Sequence, residues 1–191
     1  MSTLHTLPRI IAVLGSIAAL LPSQLSARQS GGAVTPVPDF TIRSGVPASD
    51  SELTPVVRAI VANGDALTGA RRYTAAQQEY RRAAAIVGKQ GHLPSYTMWH
   101  LACSLYYEGN PDGAAAVLDH LATEAQRSGD IVVEVLAMYN SAWLSGQAGS
   151  GQAATVKIDG VQRLLHSPYM PASIRDQLSA RLEAPNAVAE K

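Results

Sequence analysis

"GSGQAA", residues Gly149–Ala154, has the form G-x-G-x-x-A, one version of the glycine fingerprint that brings a dinucleotide's pyrophosphate against the start of a helix. Two folds compete for it. A dinucleotide fold needs a β-strand before the first glycine and a β-α-β unit around it. A helical fold needs only a glycine that turns the chain from one helix into the next. The preceding stretch, "AMYNSAWLSGQ", is alanine-containing and apolar at helical spacing. The glycines are therefore read as a turn between two helices, and the dinucleotide reading falls away.

The same texture extends outward in both directions. From Glu52 the chain is rich in alanine and broken at turn signals, which predicts helices throughout. "LTPVVRAIVANGDALTG" opens with Thr54 before Pro55, a cap followed by proline at the first helical position. "YTAAQQEYRRAAAIVG" carries Thr74 and Gln77 at the spacing of a capping box and is expected to end at Gly88. "PSYTMWHLACSLYYEG" starts a helix at Ser95, and "NPDGAAAVLDHLATEAQRSG" starts one with Asn110 as cap and Pro111 just inside. "DIVVEVLAMYNSAWLSGQAG" and "GQAATVKIDGVQRLLHS" form a further pair, and "PASIRDQLSARLEA" is a final helix. The run "IVVEV" imitates a strand, but its apolar period continues through Leu136, Tyr139, Asn140 and Trp143, so it is read as helical.

The paired helices repeat one another. Small residues stand near the end of each first helix, at Gly64, Ala102 and Ala142, and recur 38 and then 40 residues apart. Twelve residues after each comes an alanine, Ala76, Ala114 or Ala154. Larger or apolar residues follow at Tyr80, Leu118 and Ile158, and again at Ala83, Leu121 and Val161. The turn within each pair holds Gly69, Gly109 or Gly149, with Tyr73 or Pro111 nearby. Over about residues 53–166 this pattern resembles the tetratricopeptide repeat, although its period exceeds the family's 34 residues. "GKQGHLPS" and "QRSGD" are accordingly expected to be extended loops between repeats. The resemblance implies an all-α, right-handed helical-hairpin solenoid (TPR-like) of about three repeats closed by a C-terminal capping helix.

Upstream of the repeats the sequence changes character. Residues 1–27 combine Arg9, the apolar run "IIAVLGSIAALL" and the small-residue zone "PSQLSA", the order of a secretory signal peptide with cleavage after Ala27. Its twelve apolar or small residues are too few to cross about 30 Å of hydrocarbon as a helix. Residues 28–50 are rich in proline and glycine without apolar period and read as a flexible linker. The repeat domain is assigned to residues 51–184 and a disordered tail to residues 185–191. Together these features predict an exported protein of a bacterial cell envelope, periplasmic or secreted.

Composition narrows the functions. With 15 basic and 15 acidic residues the chain gives no general reason to expect nucleic acid or an anionic membrane as ligand. The charge is nonetheless divided. Arg58–Lys89 holds six bases against two acids, and Gln90–Glu134 holds six acids against one base, so the domain is expected to be dipolar. Cys103 is the only cysteine, which removes any intrachain disulfide and any paired-cysteine metal site. His100 and Cys103 lie one helical turn apart, but two ligands make no metal site. Lys89 is not a phosphate-loop lysine, because Ala83 and Gln90 stand where glycine and a hydroxyl residue belong. No G-x-S-x-G elbow is present. The reading is a non-enzymatic protein with no cofactor.

Aromatic residues supply the candidate site. Tyr96, Trp99, Cys103, Tyr106 and Tyr107 recur at helical spacing on one side of their helix, with Met98, Leu101, Ala102 and Leu105 on the other. In tetratricopeptide proteins such positions line a concave groove. The resemblance places Leu136, Tyr139 and Trp143 there in the next repeat, with Asn140 at an inner-face position, and Arg58 with Asp65 in the first. Tyrosine and tryptophan suit protein or peptide capture because they bury apolar area and keep a polar handle. The family's clamp for C-terminal carboxylates is not reproduced, since Val61, Asp65 and His100 replace expected members and Asn140 alone matches. The expected partner is a protein or peptide, including one within a membrane-associated complex. Two alternatives stand beside it: a small-molecule or enzyme-accessory protein using the aromatic groove, and a structural subunit of such a complex.

Overall fold

The computed structural model describes residues 51–188, with side chains through residue 183. The signal and linker readings for residues 1–50 and the end of the tail, 189–191, lie outside the described residues. Among these, every regular element is a helix: α1 (Pro55–Gly69), α2 (Tyr73–Lys89), α3 (Ser95–Tyr107), α4 (Pro111–Ser128), α5 (Ile131–Gln147), α6 (Gly151–Leu165) and α7 (Ala172–Val188). α7 continues past the boundary at residue 184 read from the sequence. No described helix is long and apolar enough to cross a membrane.

Local chemistry sets most of these ends. The Thr54 hydroxyl accepts from Val57 N, the Asn110 side chain from Gly113 N at 2.8 Å, and Asp130 from Val133 N at 3.0 Å. Each satisfies an amide that the helix cannot pair internally. The opening question is settled at Gly149, whose φ of +83° reverses the chain after α5. Ser150 N bonds back to Ser145 O and Gly149 N to Gly146 O, the paired bonds of a Schellman turn. α5 is a helix from Ile131 onward, so no strand precedes the glycines.

The same turn closes the other two pairs. Gly109 has φ +90° between α3 and α4, and Arg71 has φ +57° between α1 and α2. These three left-handed residues recur 38 and 40 residues apart, the spacing of the small residues in the sequence. The first turn departs from expectation, because Gly69 lies within α1 and an arginine takes the left-handed position. The inter-pair segments also differ from the expected extended loops. α2 runs past Gly88 to Lys89, and α4 absorbs Gln126–Ser128, leaving only Gly129 and Asp130 before α5. Gly129, at φ +76°, caps one helix while Asp130 caps the next, so the long period is filled largely by helix.

Each helix from α1 to α5 packs on the next. α3 and α5 are enclosed on nearly all sides: Thr97–Leu105 is buried without a break in α3, as is Val133–Ala137 in α5. Leu118 and Leu121 of α4 and Leu136 and Leu144 of α5 are at most 3% exposed, and each is worth about 1.5–3 kcal/mol of burial. Ala76 and Ala114 are fully buried at their expected crossings. The third pair is shifted. Ala154 is half-buried, and the tight approach falls at Gly160, where an added Cβ would lie 2.6 Å from Met138 Sδ.

Candidate functional site

The aromatic residues singled out in the sequence separate into three environments. Trp99 and Asn140 belong to the core, at 6% and 3% exposure. Asn140 Nδ2 donates within its own helix to Leu136 O at 2.8 Å. Trp99 Nε1 is buried without a hydrogen-bond partner. Both residues, expected in the groove, are buried in the described structure. The reason is the enclosure of α3 and α5 on both sides, where a two-sided stripe pattern predicted one open face.

The second environment joins α1, α2 and α3. His100 is 5% exposed, and its Nδ1 lies 2.8 Å from Asp65 Oδ1. The Tyr80 hydroxyl donates to the same Asp65 oxygen at 2.8 Å and lies 3.1 Å from Thr68 Oγ1. Burial pushes the Tyr80 phenol far above its ordinary range, and its bond to Asp65 acts in the same direction. The Tyr96 ring centroid is 4.4 Å from that of His100. Tyr96 thus leans on an inter-helix polar cluster. Arg58, exposed on α1, donates from Nε to Leu53 O at 2.6 Å and so fastens the segment entering that helix.

The third environment is a surface. Tyr106 at the end of α3 meets Trp143 of α5 with ring centroids 5.5 Å apart, and Tyr107 stands 5.8 Å from Tyr106. Both ring pairs are tilted at close to 60°, within the range that aromatic pairs favour. Tyr106 and Trp143 are half-buried, as is Tyr139, while Tyr107 is 41% exposed. Two helices from different pairs therefore contribute to one partly open aromatic patch. Arg71, Arg72, Arg81 and Arg82 are all exposed on the basic first pair.

Polar side chains tie successive pairs together. Thr74 and Gln77 do not form a capping box. Thr74 Oγ1 donates to Glu108 Oε1 at 2.9 Å and Gln77 Nε2 to Glu108 Oε2 at 2.7 Å. These bonds, Gln77's foremost, hold the Glu108 carboxyl below its usual range. On the other side, Lys157 of α6 reaches Asp119 of α4 and Ser141 and Ser145 of α5. Glu52, 1% exposed, receives Ser95 Oγ, Tyr96 N and Thr97 N at the start of α3. Spacing signals could not reveal these contacts, because their partners lie 12 to 45 residues apart. Among the described residues no group of three or more histidine, cysteine or acidic side chains could hold a metal ion. No protein-family model, no curated protein and no solved structure matches the chain.

Proposed function

We propose that the chain is an exported, non-enzymatic repeat protein, three tetratricopeptide-like hairpins closed by α7, that holds a protein or peptide partner in the bacterial cell envelope. The observation that carries this reading is the patch of Tyr106, Tyr107 and Trp143, built from α3 and α5 and left partly open. Recurrence of the left-handed turn at Arg71, Gly109 and Gly149 supports the repeat. A partly exposed aromatic patch on fixed helices offers a partner apolar area without further ordering of the backbone.

Tyr107 separates binding from folding because it is the most exposed member of the patch. Tyr107→Ala is expected to weaken partner binding by roughly 1 kcal/mol or more, the scale of an aromatic interface truncation. Its melting temperature should stay near that of the parent. Affinity capture from envelope extract with both proteins, followed by titration of the captured partner, measures the difference; equal affinity would remove the patch from the binding surface.

Export rests on the apolar run Ile10–Leu21 and the small residues before Arg28. The expected outcome is a mature chain starting at or near Arg28, read by intact-mass measurement of protein from the envelope fraction. Soluble cytoplasmic protein retaining Met1 would overturn it.

A further inference from the structure

α4, α5 and α6 line a half-open pocket of about 190 Å³. Its polar chemistry is unequal. Lys157 supplies a cation, but its ammonium lies 2.8 Å from Asp119 Oδ2, 2.7 Å from Ser141 Oγ and 3.0 Å from Ser145 Oγ. An ammonium has three protons to donate, so these bonds occupy all of them. Ser141 Oγ is also 2.5 Å from Asp119 Oδ1, which engages that carboxylate further. Glu134, in the first turn of α5, is different. It lines the same pocket at 8% exposure, and no described side chain or amide donates to its carboxyl.

We propose that this pocket binds an alkylguanidinium or alkylammonium cation, with Glu134 as the carboxylate that receives it. The Glu134 carboxyl is not sealed off, since Trp99 Nε1 is the buried polar side-chain atom left without a partner among the described residues, so a donor entering the pocket can reach it. Lys157 has no donor left for an incoming anion, so the charged group still open in the pocket is the Glu134 carboxyl. Gln126 at the exposed rim adds a further acceptor, while Met138 and Ala122 give apolar walls suited to an alkyl stem. The volume is below the roughly 300–1,000 Å³ of pockets that enclose drug-sized ligands. It suits one side-chain-sized group. Glu134 and Asp119 outnumber Lys157, which leaves the lining with an excess of acid, and desolvation alone raises Glu134 above the ordinary carboxylate range. An arriving cation would reverse that penalty and pair with the carboxylate through charge-assisted bonds. This inference stands on the pocket alone and does not require the aromatic patch.

The test uses the full chain with three probes: ethylguanidinium, propylammonium, and a capped peptide with one internal arginine. Titration is expected to saturate and to move the ¹³C resonance of the Glu134 δ-carbon in the parent protein. Glu134→Gln should lower affinity about tenfold or more, as expected for losing a charge-assisted pair. Gln126→Trp, at the exposed rim, should obstruct entry and gives the same readout should Glu134→Gln fail to fold. Saturation by the free cations supports the site for a small molecule, and saturation by the peptide alone supports it for an arginyl side chain. No saturable binding by any probe, an unmoved Glu134 resonance, or unchanged affinity in a folded Glu134→Gln variant would overturn it.

Discussion

Removing the Tyr80 side chain is expected to cost about 3–5 kcal/mol of folding free energy, the range for truncating a large aromatic in a packed core. Tyr80 is 1% exposed and joins three helices. It lies on α2, its hydroxyl meets Asp65 and Thr68 of α1, and its ring centroid is 5.2 Å from that of His100 on α3. Tyr80→Phe should cost less, because it keeps the ring and loses only the hydroxyl's bonds. The sharper test pairs Tyr80 with Gly64, where an added Cβ would fall 2.6 Å from Tyr80 Cε1. The ring is held at its hydroxyl end and cannot swing aside, so Gly64→Ala in the parent should cost about 1–3 kcal/mol by overpacking. In the Tyr80→Ala background that clash is gone. There Gly64→Ala should stabilise by up to about 1 kcal/mol, the helix preference for alanine over glycine. Urea unfolding of the four proteins gives the coupling directly. An equal cost for Gly64→Ala in both backgrounds would show that the Tyr80 ring does not set this approach.

Gly64 and Tyr80 also mark what the sequence made legible. Small residues followed by a larger apolar one picked out alanines that are fully buried in two of the three pairs, and the helix starts at Thr54 and Asn110 were readable because each cap acts on an amide three residues away. Contacts across helices were not readable. Thr74 and Gln77 have the spacing of a capping box, yet Glu108, more than thirty residues on, competes successfully for both side chains. Nothing about Arg71 announces a left-handed turn, since that conformation normally selects glycine. The aromatic stripe was legible as a stripe, but its exposure was not. Trp99 and Tyr106 share a face of α3, and only the position of α5 decides that one is buried and the other reaches the surface. Glu134 and Lys157 belong to no motif, and only the packing of α4, α5 and α6 places them around one pocket.

Glu52 carries the other large expected effect. Its carboxyl accepts from Ser95 Oγ at 3.0 Å, Tyr96 N at 2.8 Å and Thr97 N at 3.2 Å, and so closes the start of α3 from 43 or more residues away. Glu52→Leu keeps an apolar bulk but removes the acceptor. Unsatisfied buried donors cost about 1–3 kcal/mol each, and Ser95 and Thr97 are both buried, so the loss at neutral pH is expected to be on the order of 3 kcal/mol. The pH dependence has a definite sign. Burial raises Glu52 from 4.5, outweighing the lowering by the bonds from Thr97, Ser95 and Tyr96 and by the charge of His92. The folded chain therefore holds this proton more tightly than the unfolded chain does. That contribution is fully present below 4.5 and is lost as pH rises through the higher folded value. Comparison with Glu52→Gln isolates the Glu52 carboxyl together with its coupling to His92, because Glu134, also raised, and Glu108, lowered, titrate alike in both proteins. The stability of the parent relative to Glu52→Gln should decline as pH is raised above 4.5 and level off once the folded carboxyl has ionised. Denaturant unfolding across that range measures the decline. A flat difference would mean that the carboxyl ionises as easily in the fold as in the open chain, and a rising one would mean that the donors of α3 outweigh its burial.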